Sequence, residues 1–263
     1  MPGMLLARLG AGARRLGAGT RRLKRRLKRW TTPPFPALDL AGPVLVFGSA
    51  PGSRLPEGFG EDWRIVTING SHGILAGLTD RDPDVTLMMF AHALGKSPNT
   101  PGVRAQVSGR RTGTLVVCGG RTASRREEMD GLPSLEYASE RAVQLSGYQR
   151  RHLIQDATGR PYEEDSTEAK ASTGLLAAML ALRDGGSPVV VSGIAPGSQG
   201  HAYAQPDGRA RERRHSGTDA AILSLLREKG HPLFTADPEV AEALGLPLWS
   251  GGGAYIPQRS APS

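Results

Sequence analysis

The sequence predicts an α/β fold built on a single doubly wound, mainly parallel sheet. Two apolar runs, residues 43–48 and 189–194, are rich in Val and end at small residues, which is typical of buried parallel strands that lead into a loop. Segments with helical periodicity alternate with such runs, and this alternation favours a parallel sheet with helices on both faces. With 263 residues, the chain is long enough to bury a full core.

The expected elements follow in chain order. Strands are predicted at residues 43–48, 63–68, 85–90, 114–118 and 189–194, and helices at residues 135–148, 173–183, 218–228 and 238–244. In a doubly wound sheet, ligands bind outside the carboxyl ends of the strands. The turn at residues 48–52, Asn69 and the loop after Ile194 are therefore expected to converge at one site.

The charge is distributed unevenly along the chain. The formal net charge is +8, but ten of the 33 Lys and Arg residues lie in residues 1–30 without any acidic residue, which leaves 23 basic against 25 acidic residues elsewhere. In that segment Leu16, Leu23 and Trp30 fall close to one face of a helix. We expect residues 1–30 to lie on an anionic membrane surface. A solvated basic tail and a tail that binds nucleic acid are the alternatives.

Composition also suggests the domain boundaries and the compartment. Residues 31–42 are Pro-rich and predict a stiff linker, residues 43–250 the globular domain, and residues 251–263 a flexible tail. Cys118 is the single cysteine, which excludes an internal disulfide and is compatible with a reducing cytoplasm. The expected location is the cytoplasm, peripheral on the inner face of the membrane.

Several common motifs do not occur in the sequence. Residues 48–53 lack both the Gly-Lys-Ser/Thr of a phosphate-binding loop and the Gly-x-Gly-x-x-Gly of a dinucleotide site. Ser172, Ser192 and Ser198 do not stand in the Gly-x-Ser-x-Gly of an α/β-hydrolase. No His-Glu-x-x-His or clustered Asp pattern predicts a metal site, so we expect chemistry without a metal or a cofactor.

Two segments in the second half of the chain carry the most specific signal. Residues 170–176 are Lys-Ala-Ser-Thr-Gly-Leu-Leu, and residues 214–219 are Arg-His-Ser-Gly-Thr-Asp. Together with Val-Phe-Gly-Ser-Ala-Pro-Gly at residues 46–52, these segments resemble the sialyltransferases of glycosyltransferase families 29 and 42. The resemblance extends over residues 43–240. It implies a Rossmann-like sialyltransferase fold of the GT-A type, with a mobile lid over residues 196–214.

The resemblance implies that the donor binds at the start of a helix. Ser172, Thr173 and Gly174 would open a helix whose amide end receives the phosphate of cytidine monophosphate (CMP) or the sugar carboxylate. Lys170 would supply the positive charge that the family has as Arg. The residues themselves permit this role, because a Ser or Thr cap and the positive end of a helix favour an anion. An ordinary N-cap without a ligand is the alternative. The other implied nucleotide-site residues are Gly48, Ser49 and Asn69.

The resemblance also implies a general base and a set of phosphate ligands. His215 would accept the proton of an acceptor hydroxyl, since a neutral imidazole is a suitable base near neutral pH. Tyr203 matches a tyrosine that hydrogen-bonds the leaving phosphate. Arg213 and Arg214 would hold a phosphate or carboxylate through paired hydrogen bonds. A solvated charge run is the alternative for these arginines.

The expected function is inverting transfer of sialic acid or a related acidic sugar from its CMP carrier to a glycan or lipid-linked acceptor, with no nucleic-acid partner. Three positions depart from the family pattern, because Ser49, Ala195 and Gly197 replace Asn, Asp and Tyr. A catalytically inactive homologue that binds a nucleotide or carbohydrate is therefore one alternative. A nucleic-acid-associated protein that uses the basic segment is the other.

Overall fold

The computed structural model describes residues 34–119, 125–164, 170–194 and 215–251. Within these ranges seven strands form one sheet, and every neighbouring pair of strands is parallel. The strands are β1 (Gly42–Phe47), β2 (Arg64–Ile68), β3 (Val85–Met89), β4 (Arg111–Cys118), β5 (Ala138–Leu145), β6 (Gly186–Ser192) and β7 (Leu233–Thr235). The predicted α/β class with a doubly wound sheet is confirmed.

Helices connect these strands. They are α1 (Ser71–Leu75), α2 (Phe90–Ala93), α3 (Thr100–Val107), α4 (Arg125–Asp130), α5 (Gly147–Thr158), α6 (Thr173–Arg183), α7 (Ser216–Glu228) and α8 (Pro238–Leu244), with a 3-10 helix at Leu132–Leu135. In the described ranges, no helix combines the length and the apolar character that crossing a bilayer requires. The basic segment and residues 31–33 lie outside the described residues, so the domain boundaries stay predictions.

The winding direction of the sheet reverses at β1. The strand order is β5-β4-β3-β2-β1-β6-β7, so the chain proceeds from β1 to β5 on one side and then adds β6 and β7 on the other. The carboxyl ends of β1 and β6 lie side by side, with Phe47 paired with Ser192. Such a reversal is where open α/β sheets bind ligands.

The core explains why the central elements were predictable. Residues 44–47 of β1 are fully buried, as expected for a central parallel strand covered on both faces. Helix α6 contacts β1, β2, β3 and β6, and its residues 174–181 are all buried. A helix that is apolar on every side needs neighbours on every side. The predicted bounds of α6 and α8 are confirmed.

The predicted helix at residues 135–148 is wrong. Residues 138–145 form β5, which pairs with β4 at the edge of the sheet, and α5 begins only at Gly147. The charged residues Glu140 and Arg141 are exposed there, as is common on edge strands, and they resemble helix-forming composition. A capping box between Ser146 and Gln149 starts α5, and this short motif was a readable signal. Strand β7 was also missed, because three residues carry too little periodicity.

Candidate functional site

The loops that follow β1 and β6 contact each other directly. The amide N–H of Gly48 donates to the carbonyl oxygen of Ser192 (2.7 Å), and that of Ala50 donates to the carbonyl oxygen of Gly193 (3.0 Å). A Cβ atom on Gly48 would overlap the carbonyl oxygen of Gly193. Only glycine at position 48 therefore permits this approach, which places the turn at residues 48–52 beside the loop after β6.

Asp237 holds the loop after β6 in place, and sequence reasoning missed it. Its Oδ2 accepts the amide N–H of Gly193 (2.7 Å), and its Oδ1 accepts the hydroxyl of Ser192 (3.1 Å). The Ser192 hydroxyl in turn accepts the amide N–H of Arg54 (2.9 Å), which belongs to the loop after β1. Burial raises the pKa of Asp237. The carboxyl group thus holds the loop after β6 directly and connects it, through the Ser192 hydroxyl, to the loop after β1.

Helix α6 begins at this same edge of the sheet, as predicted. Ser172 is the N-cap, and its hydroxyl accepts the amide N–H of Leu175 (3.2 Å). Gly174 packs against Ile194, whose Cγ2 would lie 2.8 Å from an added Cβ atom. The helix start is therefore packed against the residue that follows Gly193. Thr173 and Lys170 are half-buried at this position.

The two amides before Thr173 are held by side chains from other elements. The amide N–H of Ser172 donates to Oδ1 of Asp219 (2.8 Å) in the first turn of α7. The amide N–H of Ala171 donates to the phenol oxygen of Tyr162 (2.8 Å). Burial raises the pKa of Tyr162 to about 12, so the phenol stays protonated at neutral pH. Asp219 belongs to the sequence motif at residues 214–219 but was given no role there, and Tyr162 was not singled out.

His215 is the N-cap of α7, so this helix starts two residues earlier than predicted. Its carbonyl oxygen accepts the amide N–H of Asp219 (2.9 Å). Its imidazole makes no capping hydrogen bond, and its Nδ1 is buried without a partner among the described residues. Because the carboxylate of Asp219 also accepts the amide N–H of Ser172, this one residue connects His215 to the start of α6.

Asn69 and Ser49 lie at the neighbouring strand ends. Asn69 has a positive φ of 51°, which Asn tolerates better than most residues. Its Oδ1 accepts the amide N–H of Met89 (2.9 Å), and its own amide donates to the carbonyl oxygen of Leu87 (2.8 Å). The side chain therefore spans the ends of β2 and β3. Ser49 is buried, 7% exposed, in the loop after β1.

Some predicted site residues cannot be placed. Tyr203, Arg213 and Arg214 lie outside the described residues, as do Ala195 and Gly197. Within the described residues, no group of three or more His, Cys, Asp or Glu side chains is arranged to hold a metal ion. A surface groove beside α3, which Pro101, Arg104 and Glu136 help to line, contains none of the predicted site residues.

No family model and no curated protein matches the chain. The α-2,3-sialyltransferase Cst-I from Campylobacter jejuni aligns with a TM-score of 0.52 and 9% identity, over 83% of this chain and 84% of its own. The sialyltransferase CstII from the same organism, in complex with cytidine 5′-monophosphate, aligns with a TM-score of 0.51 and 15% identity, over 85% and 94% of the two chains.

A further CstII structure, in complex with a trisaccharide acceptor and CMP, gives a TM-score of 0.51 and 14% identity over 83% of this chain and 90% of that one. At these identities the likeness establishes the fold. The chain has the fold of the sialyltransferase-like glycosyltransferases, as the sequence motifs predicted. Among solved structures, those of the bacterial sialyltransferases Cst-I and CstII share it over most of their length.

Proposed function

We propose that the protein is a sialyltransferase-type glycosyltransferase. It would move sialic acid or a related acidic sugar from its CMP carrier to a glycan or lipid-linked acceptor, with inversion and without a metal ion. The proposal rests on the position of three features of the structure. The turn after β1, the start of α6 and His215 meet at the reversal point of the sheet, in a fold whose solved examples include complexes with CMP.

The donor would bind to polar and charged groups at this edge of the sheet. Cytosine would lie near Asn69 and the turn at residues 48–52, since the Asn69 amide NH₂ makes no hydrogen bond within the described part of the chain. The phosphate or sugar carboxylate would lie at the amide end of α6, where the helix dipole favours an anion. Lys170, half-buried just before this helix, would add a positive charge.

The chemistry would be a single displacement. The acceptor hydroxyl oxygen attacks the anomeric carbon while the bond from that carbon to the CMP phosphate breaks, so the configuration inverts. His215 takes the hydroxyl proton, and CMP leaves with the bonding electron pair. If Nε2 is the base, Nδ1 must keep its proton, and an acceptor for that buried N–H must come from the substrate or from outside the described residues.

The leaving phosphate would be stabilised by Tyr203, Arg213 and Arg214 from the lid segment. Charge develops on that phosphate in the transition state, so donors aimed at it would lower the barrier. The basic segment at residues 1–30 would place the enzyme on the anionic inner face of the membrane, in the cytoplasm, close to lipid-linked acceptors. Nucleic acid has no role in this scheme.

Calorimetric titration with CMP, UMP and GMP, followed by turnover of CMP-sialic acid, tests the proposal. CMP should bind selectively, and His215→Ala should abolish transfer while CMP affinity stays within about threefold, because a base acts on the acceptor. CMP binding without any transfer or donor hydrolysis would favour the inactive, ligand-binding homologue. Absence of nucleotide binding, with polyanion binding that disappears on removal of residues 1–30, would favour the nucleic-acid-associated alternative.

A further inference from the structure

The start of α6 has four backbone N–H groups that lack an intrahelical acceptor, at residues 172–175. Two of them are already satisfied. Leu175 donates to the Ser172 hydroxyl, and Ser172 donates to Asp219. The N–H groups of Thr173 and Gly174 make no hydrogen bond with the described residues. They are therefore the two amides that this helix start can offer to an anion.

We propose that Tyr162 and Asp219 are positioning residues that orient these two amides toward the donor anion. Tyr162 holds the N–H of Ala171, and Asp219 holds the N–H of Ser172, so two consecutive peptide groups are fixed immediately before Thr173. We call these two side chains the amide clamp. The inference rests on the proposed function, because it names what prepares the same site for CMP.

Both residues of the clamp lie on anchored parts of the structure. Asp219 is 4% exposed, and its backbone is fixed in the first turn of α7. Tyr162 lies two residues before Glu164, whose Oε2 is 3.1 Å from Nη2 of Arg150 in α5. Both side chains of this ion pair are almost fully buried, at 5% and 6% exposure. Removing one partner of such a buried pair is strongly destabilising, so the pair anchors the segment that carries Tyr162 against α5.

Asp219 of the clamp also connects the proposed base, His215, to the proposed anion site at the start of α6. Asp219 follows His215 by one helical turn, and its amide N–H donates to the His215 carbonyl oxygen (2.9 Å). Through its carboxylate it reaches α6. The hydrogen bond from Ser172 to Asp219 is therefore a direct connection between the helix that begins at the proposed base and the proposed anion site. Small misplacements of reacting groups lower catalytic rates strongly.

The negative charge of Asp219 would by itself repel a bound phosphate. If charge were its main contribution, removing the charge would strengthen CMP binding. If the hydrogen bond to Ser172 is the main contribution, Asp219→Asn should still bind CMP, because the amide oxygen of Asn remains an acceptor. Asp219→Ala should lose both the negative charge and the hydrogen bond to Ser172. The pair of variants therefore separates positioning from electrostatics.

The test uses the full chain and has two readouts. Calorimetry gives the affinity for CMP, and thermal unfolding gives the melting temperature. Asp219→Ala should weaken CMP by about tenfold, Tyr162→Phe by a few fold, and Asp219→Asn by no more than about threefold. Asp184→Ala is the matched control. Asp184 caps the other end of α6, where its Oδ2 accepts the amides of Leu38 (3.0 Å) and Leu40 (2.9 Å), so its loss should lower the melting temperature and leave CMP affinity unchanged.

The outcomes distinguish the two proposals. If wild type binds CMP and Asp219→Ala and Tyr162→Phe bind it equally well, the clamp is refuted and the proposed function stands. Tighter CMP binding by Asp219→Ala also refutes the clamp. If wild type does not bind CMP, the proposed function fails and the clamp fails with it. Should Asp219→Ala not fold, Tyr162→Phe, which removes one oxygen atom, decides the question alone.

Discussion

Acidification should destabilise the protein through His72 in α1, the helix that follows Asn69. The residue is 2% exposed, and its Nδ1 lies 2.9 Å from the phenol oxygen of Tyr137, which is 2.8 Å from the Thr86 hydroxyl. Burial, with a smaller contribution from Arg110, lowers the pKa of His72 to about 4, although Asp82 acts in the opposite direction. His72 therefore binds a proton more weakly in the folded protein than in the unfolded chain.

Between the unfolded pKa of 6.5 and the folded pKa of about 4, the unfolded state binds more protons, so the free energy of unfolding falls as the pH falls. At about pH 4.5 the loss from this one group is about 2.5 kcal/mol relative to about pH 8. Burial raises the pKa of Asp237, so its folded form binds a proton more tightly than its unfolded form, and acidification stabilises the protein through this group, opposite to His72. Only a difference between variants therefore isolates His72.

Urea denaturation followed by tryptophan fluorescence, at several pH values from about 8 to about 4.5, measures this difference. His72→Asn keeps a hydrogen-bonding group near the position of Nδ1 but does not titrate. Relative to wild type, it should gain about 2.5 kcal/mol on acidification. His152→Asn, in the half-buried middle of α5, is the matched control. If His72→Asn loses as much stability as wild type, burial of His72 does not govern the acid response.

Two further predictions concern the site and the membrane. Gly48→Ala should destabilise the protein by more than about 2 kcal/mol, because the added Cβ atom would overlap Gly193. Gly217→Ala, which has open space at its Cβ position, is the control and should not be destabilised in this way. Equal melting temperatures for the two variants would contradict the close approach of the two loops. A truncation that starts at Pro33 should turn over soluble acceptors normally and fail to sediment with vesicles of acidic lipid, since each basic residue near such a surface contributes about 1 kcal/mol. Vesicle binding by the truncated protein would place the anchor elsewhere.

Most of the central fold could be predicted from the sequence. Strand β1 and helix α6 are buried on all sides, so their apolar runs reveal both their type and their bounds. The Ser-Thr-Gly at residues 172–174 predicted a helix start, and the structure has one there. These features are local, because a helix cap and an uninterrupted apolar run each consist of consecutive residues.

Edge elements and the supports of the site were decided by tertiary structure. Strand β5 has helix-forming composition and becomes a strand because β4 offers an unpaired edge. Tyr162, Asp219 and Asp237 find their partners 9, 47 and 44 residues away in the chain. No pattern of consecutive residues indicates which side chain from another element will accept such an amide N–H. The sequence by itself therefore determined which elements surround the site, and only packing determined which side chains hold those elements in position.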